Sequence, residues 1–148
     1  MLRLLRLLSC LEGKDKIIQY TWFSIAKEFL LHDVTNVIST LGAKVAFYAN
    51  QDQSSRCSAF DAKVKDTTGA GDTFTGAYVS EYVRQKTLGK WDIRSAVIRA
   101  KKAAAMTVRN VGAQNGIPWS DEIDSFDALE KLLHAVSSDS TAFTGGDK

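Results

Sequence analysis

The sequence has little of what marks secreted, membrane or metal-binding proteins. Its 148 residues include two cysteines and one proline, which excludes a disulfide-stabilised scaffold and a collagen-like chain. Neither Cys10 nor Cys57 has a second cysteine or a histidine at a metal-ligand spacing, and this favours two reduced thiols in a cytosolic protein. No apolar run approaches the roughly 20 residues that a membrane-spanning helix requires.

The charge of the chain is small and evenly spread. Lysine and arginine total 19 and aspartate and glutamate 17, for a formal net charge of +2. The basic residues are dispersed rather than gathered in a stripe, so we expect neither a nucleic-acid nor a membrane partner. Since 45% of the residues are hydrophobic, a chain of one domain's length has enough apolar surface for a packed core.

The two ends of the chain differ in composition from the middle. Residues 1–11 carry two arginines, no acid and leucines at helical spacing. This is typical of a first helix or of a basic targeting segment, and the acids that follow favour the helix. Residues 137–148 are small, polar and glycine-rich and predict a loose tail. We therefore predict a segment of uncertain role at 1–19, one domain at 20–136 and a flexible tail at 137–148.

Hydrophobic periodicity predicts alternating helices and strands between the two ends. β-branched or alternating residues indicate three strands, at Val34–Leu41, Val45–Ala49 and Ala59–Val64. Apolar residues at helical spacing indicate four helices, at Tyr20–Leu31, Asp72–Arg84, Ile93–Thr107 and from Ser120 to Val136. Turns are expected at residues 42–44 and 108–117. Strands and helices in this order predict an α/β layered domain with helices flanking a sheet.

The predicted helices have distinct inner and outer faces. The inward residues are expected to be Phe74, Ala77, Tyr78 and Tyr82 in the second helix, and Ala96, Val97, Ala100, Ala103 and Ala104 in the third. The three tryptophans, Trp22, Trp91 and Trp119, are interpreted as packing residues. Lys101 and Lys102 are expected on a solvated helix face.

One stretch combines a flexible loop with a helix start. Residues 66–78 are DTTGAGDTFTGAY, and small residues at Gly69, Ala70 and Gly71 leave the backbone N–H groups uncovered. These donors join the positive end of the helix dipole, which attracts anions such as phosphate. Asp72 on the first helical turn is poorly suited to holding a phosphate, but it could accept a proton from an attacking hydroxyl.

A simpler interpretation of this stretch is structural. Aspartate is a favoured residue at helix starts, and glycine before a helix is a common turn. The loop is also not a Walker A motif, because no Gly-Lys-Ser/Thr follows the first glycine at the required distance. The loop alone therefore favours capping over catalysis.

Resemblance to a known family favours catalysis over capping. The run from Val64 to Tyr78 resembles the carboxy-terminal signature of the ribokinase-like, pfkB-type carbohydrate kinases. Val37–Val45 (VISTLGAKV) is similar to the strand and nucleotide loop that precede the signature, and Ala103–Trp119 (AAAMTVRNVGAQNGIPW) to the segment that follows it. The resemblance covers residues 20–136 and implies a partial ribokinase-like layered sheet with flanking helices.

The resemblance implies roles for individual residues. Asp72 would be the general base on the sugar hydroxyl, and Gly69, Ala70 and Gly71 would form the anion hole for the transferred phosphoryl group. The nucleotide would contact Thr40, Leu41, Gly42, Ala43, Lys44, Val45, Gly71, Asp72 and Lys101, the last beside the adenine. A monovalent cation would be held, mostly by backbone carbonyls, at Asp66, Thr68, Thr107, Asn110, Gly112 and Gly116.

The resemblance also implies cofactors, partners and a location. ATP and Mg²⁺ would take part in the reaction, K⁺ would occupy the monovalent site, and a sugar, with ribose favoured, would be phosphorylated. A homodimer is compatible with the family. The expected location is the cytoplasm, with the nucleus left open.

Several features of the sequence depart from the family. Its members are much longer, and their amino-terminal sugar-binding half and lid have no counterpart here. The family's Asn-x-x-Glu motif is absent, Val45 replaces a glycine of the nucleotide loop, and Gly116 replaces an expected serine. We therefore expect a truncated kinase with weak ATP binding and very low activity alone.

Two functions of different class stay open. An intact Asp72 favours an ATP-dependent sugar kinase, complete or fragmentary. The missing sugar half and Asn-x-x-Glu motif favour a non-catalytic α/β module that uses the anion loop to bind a nucleotide or a partner.

Overall fold

The computed structural model describes residues 15–42, 45–58, 60 and 62–126, with side chains from residue 22 onward. The chain divides into two compact units, Met1–Ile117 and Pro118–Lys148. The predictions made for residues 1–14, including Cys10, for Ala43 and Lys44, and for the tail at 137–148 concern residues outside those described.

Helix α1 precedes the sheet and spans Asp15–Leu31. It begins five residues before the predicted Tyr20 and ends where predicted. Just after it, Asp33 has a left-handed φ of 60°, and the N–H of Val34 bonds back to the carbonyl of Phe29 at 3.3 Å. This helix-ending turn uses the residues predicted to start the first strand, so that strand begins at Val37 rather than Val34.

Three antiparallel strands form one sheet in the order β1-β2-β3. Strand β1 is Val37–Leu41, β2 is Val45–Ala49 and β3 is Ser54–Ser58. Leu41 pairs with Val45 across the first turn, and Val45 pairs with Ser58 on its other side. The predicted β2 is confirmed to the residue.

The predicted third strand at Ala59–Val64 is wrong. Residues 60 and 62–64 have no regular secondary structure, and 59 and 61 lie outside the described residues. The chain instead turns back at once after β2, because the side-chain oxygen of Asn50 accepts the N–H groups of Asp52 and Gln53 at 3.0 and 2.7 Å. This tight turn brings the polar segment SSRCS into register beside β2.

Helices α2 and α3 form a hairpin on one face of the sheet. Helix α2 spans Ala70–Thr87 and extends beyond the predicted Asp72–Arg84 at both ends. Helix α3 spans Ile93–Thr107, as predicted. Asp92 caps α3 by accepting the N–H groups of Arg94 and Ser95 at 3.0 and 3.1 Å.

Alternate residues of the sheet contribute to two apolar clusters. Ile38, Ala46 and Tyr48 pack with side chains of α2 and α3, whereas Val37, Phe47 and Ala49 pack with Trp22 and Ala26 of α1. The sheet therefore lies between α1 and the α2–α3 hairpin, a three-layer α/β arrangement. The members of the α2–α3 side of the core are Phe74, Tyr78, Ile93, Ala96, Val97 and Ala100.

Some predicted burial differs from the structure. The buried face of α2 includes three polar residues, Thr73, Glu81 and Gln85, that the apolar pattern did not predict. Lys101 is buried at 8% exposure, so its expected solvated position is wrong, while Lys102 is only half-buried. Trp119 is 78% exposed and is not a packing residue of the described chain, unlike Trp22.

The second unit is described only for residues 118–126. A helix covers 120–126, and the carboxylate of Glu122 accepts the N–H of Trp119 at 2.6 Å just before it. Ser120, which the sequence predicts to cap this helix, is its first helical residue. The rest of this predicted helix, to Val136, lies outside the described residues.

Across the described ranges, no helix is both long enough and apolar enough to span a membrane.

Candidate functional site

The glycine turn before α2 leaves the start of that helix uncovered. Gly69 precedes the helix with a left-handed φ of 79° and has no side chain with which to cap it. The N–H of Ala70 donates to the carbonyl of Thr67 at 3.3 Å, a long contact that closes the turn. Among the described residues, no backbone carbonyl accepts the N–H groups of Gly69 and Gly71. The turn thus presents donors at the positive end of α2.

Gly69 is also where a second loop approaches most closely. A Cβ atom at this position would lie 3.1 Å from the Cβ and 3.3 Å from the carbonyl oxygen of Ala113. Both the positive φ and this crowding require glycine. The loop that follows α3, residues 108–117, is therefore packed directly against the turn that begins α2.

Asp66 joins these two loops. Its carboxylate accepts the N–H of Thr68 at 2.9 Å and, with the other oxygen, the N–H of Gly112 at 3.0 Å. Hydrogen bonds from the Thr68 side chain, from the Gly112 N–H and from the Thr68 N–H lower the pKa of Asp66 from its ordinary 3.8 to about 2. The carboxylate is therefore ionised at neutral pH and lies at the junction of the two loops.

Backbone hydrogen bonds connect the same two loops. The N–H groups of Lys65 and Asp66 both donate to the carbonyl of Val108, at 2.7 and 3.3 Å. The segment before α2 and the segment after α3 thus run side by side at the open end of the helical hairpin. A site built here is held by both helices.

The structure brings the six predicted cation ligands into these joined loops. Asp66 contacts Thr68 and Gly112 as described, and the carbonyl of Thr107 accepts the N–H of Asn110 at 3.2 Å. The α carbon of Gly116 lies so close to Thr107 that an added Cβ would be 2.7 Å from its carbonyl oxygen. An ionised carboxylate together with backbone carbonyls is a suitable oxygen donor set for a hard monovalent cation.

Asp72 is exposed on the first turn of α2, three residues beyond Gly69. Its position places a carboxylate at the uncovered helix start, next to the donors of the glycine turn. The neighbouring Thr73 is buried, and its hydroxyl has no hydrogen-bond partner among the described residues. The geometry therefore combines backbone donors with one exposed carboxylate, as the sequence predicts.

Four of the predicted nucleotide residues lie where β1 turns into β2, whereas Gly71 and Asp72 lie at the start of α2 and Lys101 lies on α3. Thr40, Leu41 and Val45 are half-buried, and Gly42 is exposed with a positive φ of 53°. Val45 pairs with Leu41 in the sheet, so its Cβ is fixed by the register of the hairpin. This hairpin and α2 share one core through Ile38 and Phe74.

Lys101 has a different environment from the one its helix position suggests. Its Nζ donates to the carbonyl oxygen of Cys57, on the edge strand β3, at 2.9 Å. Burial lowers the pKa of Lys101 and raises that of the Cys57 thiol. The lysine therefore ties α3 to β3.

A polar network between α2 and α3 was missed by the sequence analysis. The side chain of Glu81 accepts hydrogen bonds from Arg84 at 2.6 and 2.8 Å and from Gln85 at 2.7 Å. It also lies 3.5 Å from the Nε of Arg99 on α3. The Arg84 hydrogen bond lowers the pKa of Glu81 against the opposing effect of burial. The spacing of Glu81, Arg84 and Gln85 by three and four residues was a signal for part of it.

No group of three or more histidine, cysteine, aspartate or glutamate side chains that could hold a metal ion occurs among the described residues.

Comparison with known proteins follows the same segments. A family model described as pfkB family carbohydrate kinase matches residues 24–120. The chain is 36% identical over 116 residues to a bifunctional ribokinase/ribose-5-phosphate isomerase A of Fructilactobacillus sanfranciscensis, covering 78% of this chain and 20% of that protein.

Two solved structures are similar in fold. A ribokinase of Arabidopsis thaliana complexed with ribose and ATP is 29% identical, with a TM-score of 0.62 over 75% of this chain and 34% of the other. A putative ribokinase II of E. coli in complex with ATP and Mg²⁺ is 28% identical, with a TM-score of 0.61, and the match covers 70% of this chain and 32% of the other. The chain thus spans at most about a third of these three proteins.

Proposed function

Because the chain belongs to the pfkB family of carbohydrate kinases, we propose that it forms the phosphate-binding and proton-accepting part of an ATP-dependent sugar kinase with ribose as acceptor. The observation that carries this proposal is the junction of two loops at the start of α2, where Asp66 bonds to Gly112 at 3.0 Å. That junction holds a glycine turn and Asp72 in one place. The ribose and ATP bound by the Arabidopsis structure support the choice of substrates.

The glycine turn would bind the transferred phosphoryl group. The N–H groups of Gly69, Ala70 and Gly71 lie at the positive end of α2, where negative oxygens are stabilised. In phosphoryl transfer the protein mainly positions the reactants and neutralises developing charge. Of these three donors, Ala70 would have to give up its 3.3 Å contact with Thr67.

Asp72 would accept the proton of the sugar hydroxyl. As the hydroxyl oxygen bonds to the γ-phosphorus of ATP, its proton passes to the Asp72 carboxylate and the bond from that phosphorus to the β-phosphate oxygen breaks. The products are a sugar phosphate and ADP. An exposed carboxylate on the first turn of α2 is accessible to a hydroxyl that approaches the glycine turn.

Mg²⁺ enters this proposal together with ATP, as in the E. coli complex. When bound to the phosphates, it would neutralise their charge. A monovalent cation, K⁺ by the resemblance, would be held by Asp66 and the carbonyls of Thr68, Thr107, Asn110, Gly112 and Gly116. It would fix the electrostatic environment of the glycine turn.

The β1–β2 turn would contact the nucleotide. Thr40, Leu41 and Gly42 would line it, and the Cβ of Val45 would narrow the space that a glycine leaves open. Lys101 would fix the position of β3 beside this turn rather than stack on a base, because its ammonium already donates to Cys57. Weak ATP binding is expected from this arrangement.

A second candidate function is a nucleotide-binding module without catalysis. It would apply if no other part of the protein supplies a sugar site, since the chain spans 32–34% of the two solved relatives. A sugar that is not held beside the phosphate loses the effect of proximity, which contributes about 7–11 kcal/mol in well-oriented reactions.

The test combines binding and turnover. ATP binding to the full chain would be measured by calorimetry with Mg²⁺ and K⁺, and ADP release would be followed with ribose. The Asp72→Asn variant is expected to keep nucleotide binding and lose all ribose-dependent ADP release, whereas Asp52→Asn, an exposed aspartate in the β2–β3 turn, keeps both. Turnover that survives in Asp72→Asn contradicts the base assignment. Binding with no turnover in the unmodified chain supports the module, and no binding contradicts both candidates.

A further inference from the structure

The polar network between α2 and α3 lies well away from the glycine turn. Glu81 is nine residues beyond Asp72 on α2, about 13 Å along the helix at 1.5 Å per residue. Arg99 is eight residues before Thr107 on α3, about 12 Å from the start of the second loop. The network therefore does not contact the reacting groups directly, and it lies midway along the hairpin that carries both loops.

Polar contacts between α2 and α3 join residues that are equally far in sequence from Lys90, at the closed end of the hairpin. Gln85 and Ser95, which are joined by a hydrogen bond of 2.7 Å, each lie five residues from Lys90. Glu81 and Arg99, which approach to 3.5 Å, each lie nine residues from it. At the open end, beyond both pairs, Gly69 approaches Ala113 in the loop that follows α3. The lengthwise register of the two helices thus determines which loop residues meet.

Apolar packing does not define this register alone. The face that α3 turns to the core includes Ala96, Ala100 and Ala103 beside the larger Ile93 and Val97, and apolar contacts are non-directional. A charged pair is directional and is broken by a small shift. The Glu81 side chain is only 4% exposed, and that of Arg99 17%, so this is a buried directional contact between the helices, in addition to the Gln85–Ser95 hydrogen bond nearer the closed end.

Arg84 differs from Arg99 although both contact Glu81. It lies on α2 itself, three residues from Glu81, and its side chain is 61% exposed. Its bond to Glu81 neutralises charge within one helix and does not depend on the position of α3. Comparing variants of the two arginines therefore distinguishes the neutralisation of the Glu81 charge from the alignment of α2 with α3.

We propose that Glu81 is a positioning residue of the site, which through Arg99 sets the register of α2 against α3 and so brings Asp66 opposite Gly112. The proposal depends on the proposed function only for the role of the joined loops in binding and catalysis. The alignment itself is measured without any nucleotide. A loss of alignment would separate the two loops while the core of the hairpin stays folded.

The experiment compares amide hydrogen exchange at two positions in the full chain. The Gly112 N–H reports the bond to Asp66, and the N–H of the fully buried Val97 reports global unfolding. In Glu81→Gln and Arg99→Gln, exchange at Gly112 should rise roughly tenfold relative to Val97, as for the loss of one charge-assisted contact. Arg84→Gln should change this ratio by less than about twofold, since Arg84 lies on the same helix as Glu81 and its loss does not release α3, and Arg99→Lys should restore the ratio.

Equal acceleration at Gly112 and Val97, or no acceleration at Gly112, in Arg99→Gln overturns the proposal, because Glu81 would then act on stability alone or not at all. An equal effect of Arg84→Gln and Arg99→Gln also overturns it. If Glu81→Gln does not fold, the two arginine variants decide. A chain that fails to bind ATP contradicts the proposed function and leaves this comparison unaffected.

Discussion

The carboxylate of Asp66 accepts the N–H of Gly112 at 3.0 Å across 46 residues of sequence. This contact joins the turn that begins α2 to the loop that ends α3. One oxygen of the carboxylate holds its own turn through Thr68 and the other holds the distant loop. The site is therefore built by a charged side chain that acts on two backbone segments at once.

Replacing Asp66 by asparagine should separate the loops. Asparagine keeps one acceptor oxygen, and it loses the charge and the second acceptor, so the two N–H groups of Thr68 and Gly112 are no longer both satisfied. We expect exchange of the Gly112 amide to rise roughly tenfold, since charge-assisted hydrogen bonds are about twice as strong as neutral ones. The measurement is hydrogen exchange by NMR. Asp52→Asn is the control, and equal effects of the two variants would show that the contact does not hold the loop.

The same carboxylate predicts a pH dependence of stability. Because folding lowers the pKa of Asp66 from 3.8 to about 2, the folded state binds its proton less readily than the unfolded state. The stabilisation is fully present above about pH 4 and is lost as the pH falls from there to about 2. Thermal unfolding of the unmodified chain and of Asp66→Asn should therefore differ at pH 5 and converge toward pH 2. A difference that stays constant over this range would contradict the assignment.

Much of the fold could be predicted from apolar periodicity. Strand β2 and helix α3 match their predicted bounds, because β2 is a short apolar run buried on both faces and α3 has one apolar face toward the core. Strand β3 could not be found in this way, since SSRCS has no apolar pattern. The sheet includes it because the Asn50 turn directs the chain back beside β2. Pairing with β2, rather than its own propensity, makes this segment a strand.

The site was predicted in parts and the contacts that assemble it were not. The motif at 66–78 indicated an anion-binding helix start, and the resemblance named Asp66 and Gly112 together. Neither could show that the two meet directly. The positions of Glu81 and Lys101 also escaped prediction, because charged residues are normally assigned to the solvent face. Their burial depends on partners, Arg99 and the Cys57 carbonyl, that are distant in sequence.

Gly116 provides a test of how this chain departs from its family. Restoring serine there should be destabilising, because a Cβ would lie 2.7 Å from the carbonyl oxygen of Thr107, and backbone atoms cannot move as a flexible side chain can. We expect Gly116→Ser to cost about 1–3 kcal/mol in the free energy of unfolding. Gly76→Ser, at a helical position with no atom within 4 Å of an added Cβ, should be neutral or stabilising by urea denaturation. A stabilised Gly116→Ser would indicate that the loop relaxes easily.

Gly69 is subject to two constraints, a positive φ and a close neighbour, whereas Gly89 is subject to the first alone. At Gly69 the φ is 79° and an added Cβ would meet Ala113 at 3.1 Å, whereas Gly89 has a φ of 67° with no atom within 4 Å of its added Cβ. Alanine at either position adopts a left-handed conformation at a cost of about 1–2 kcal/mol. Only at Gly69 must the second loop also move, which adds about 1–3 kcal/mol.

The expected order of stability by urea denaturation is therefore unmodified chain, then Gly89→Ala, then Gly69→Ala. Measuring ATP binding in the same two variants distinguishes an effect on the site from a general loss of stability. Gly69→Ala displaces the loop that Asp66 holds and should weaken any nucleotide binding, while Gly89→Ala, at the closed end of the hairpin, should leave it unchanged. Equal losses of stability in the two variants would mean that the approach of Ala113 imposes no constraint. The joined loops would then be held by Asp66 and the Val108 carbonyl alone.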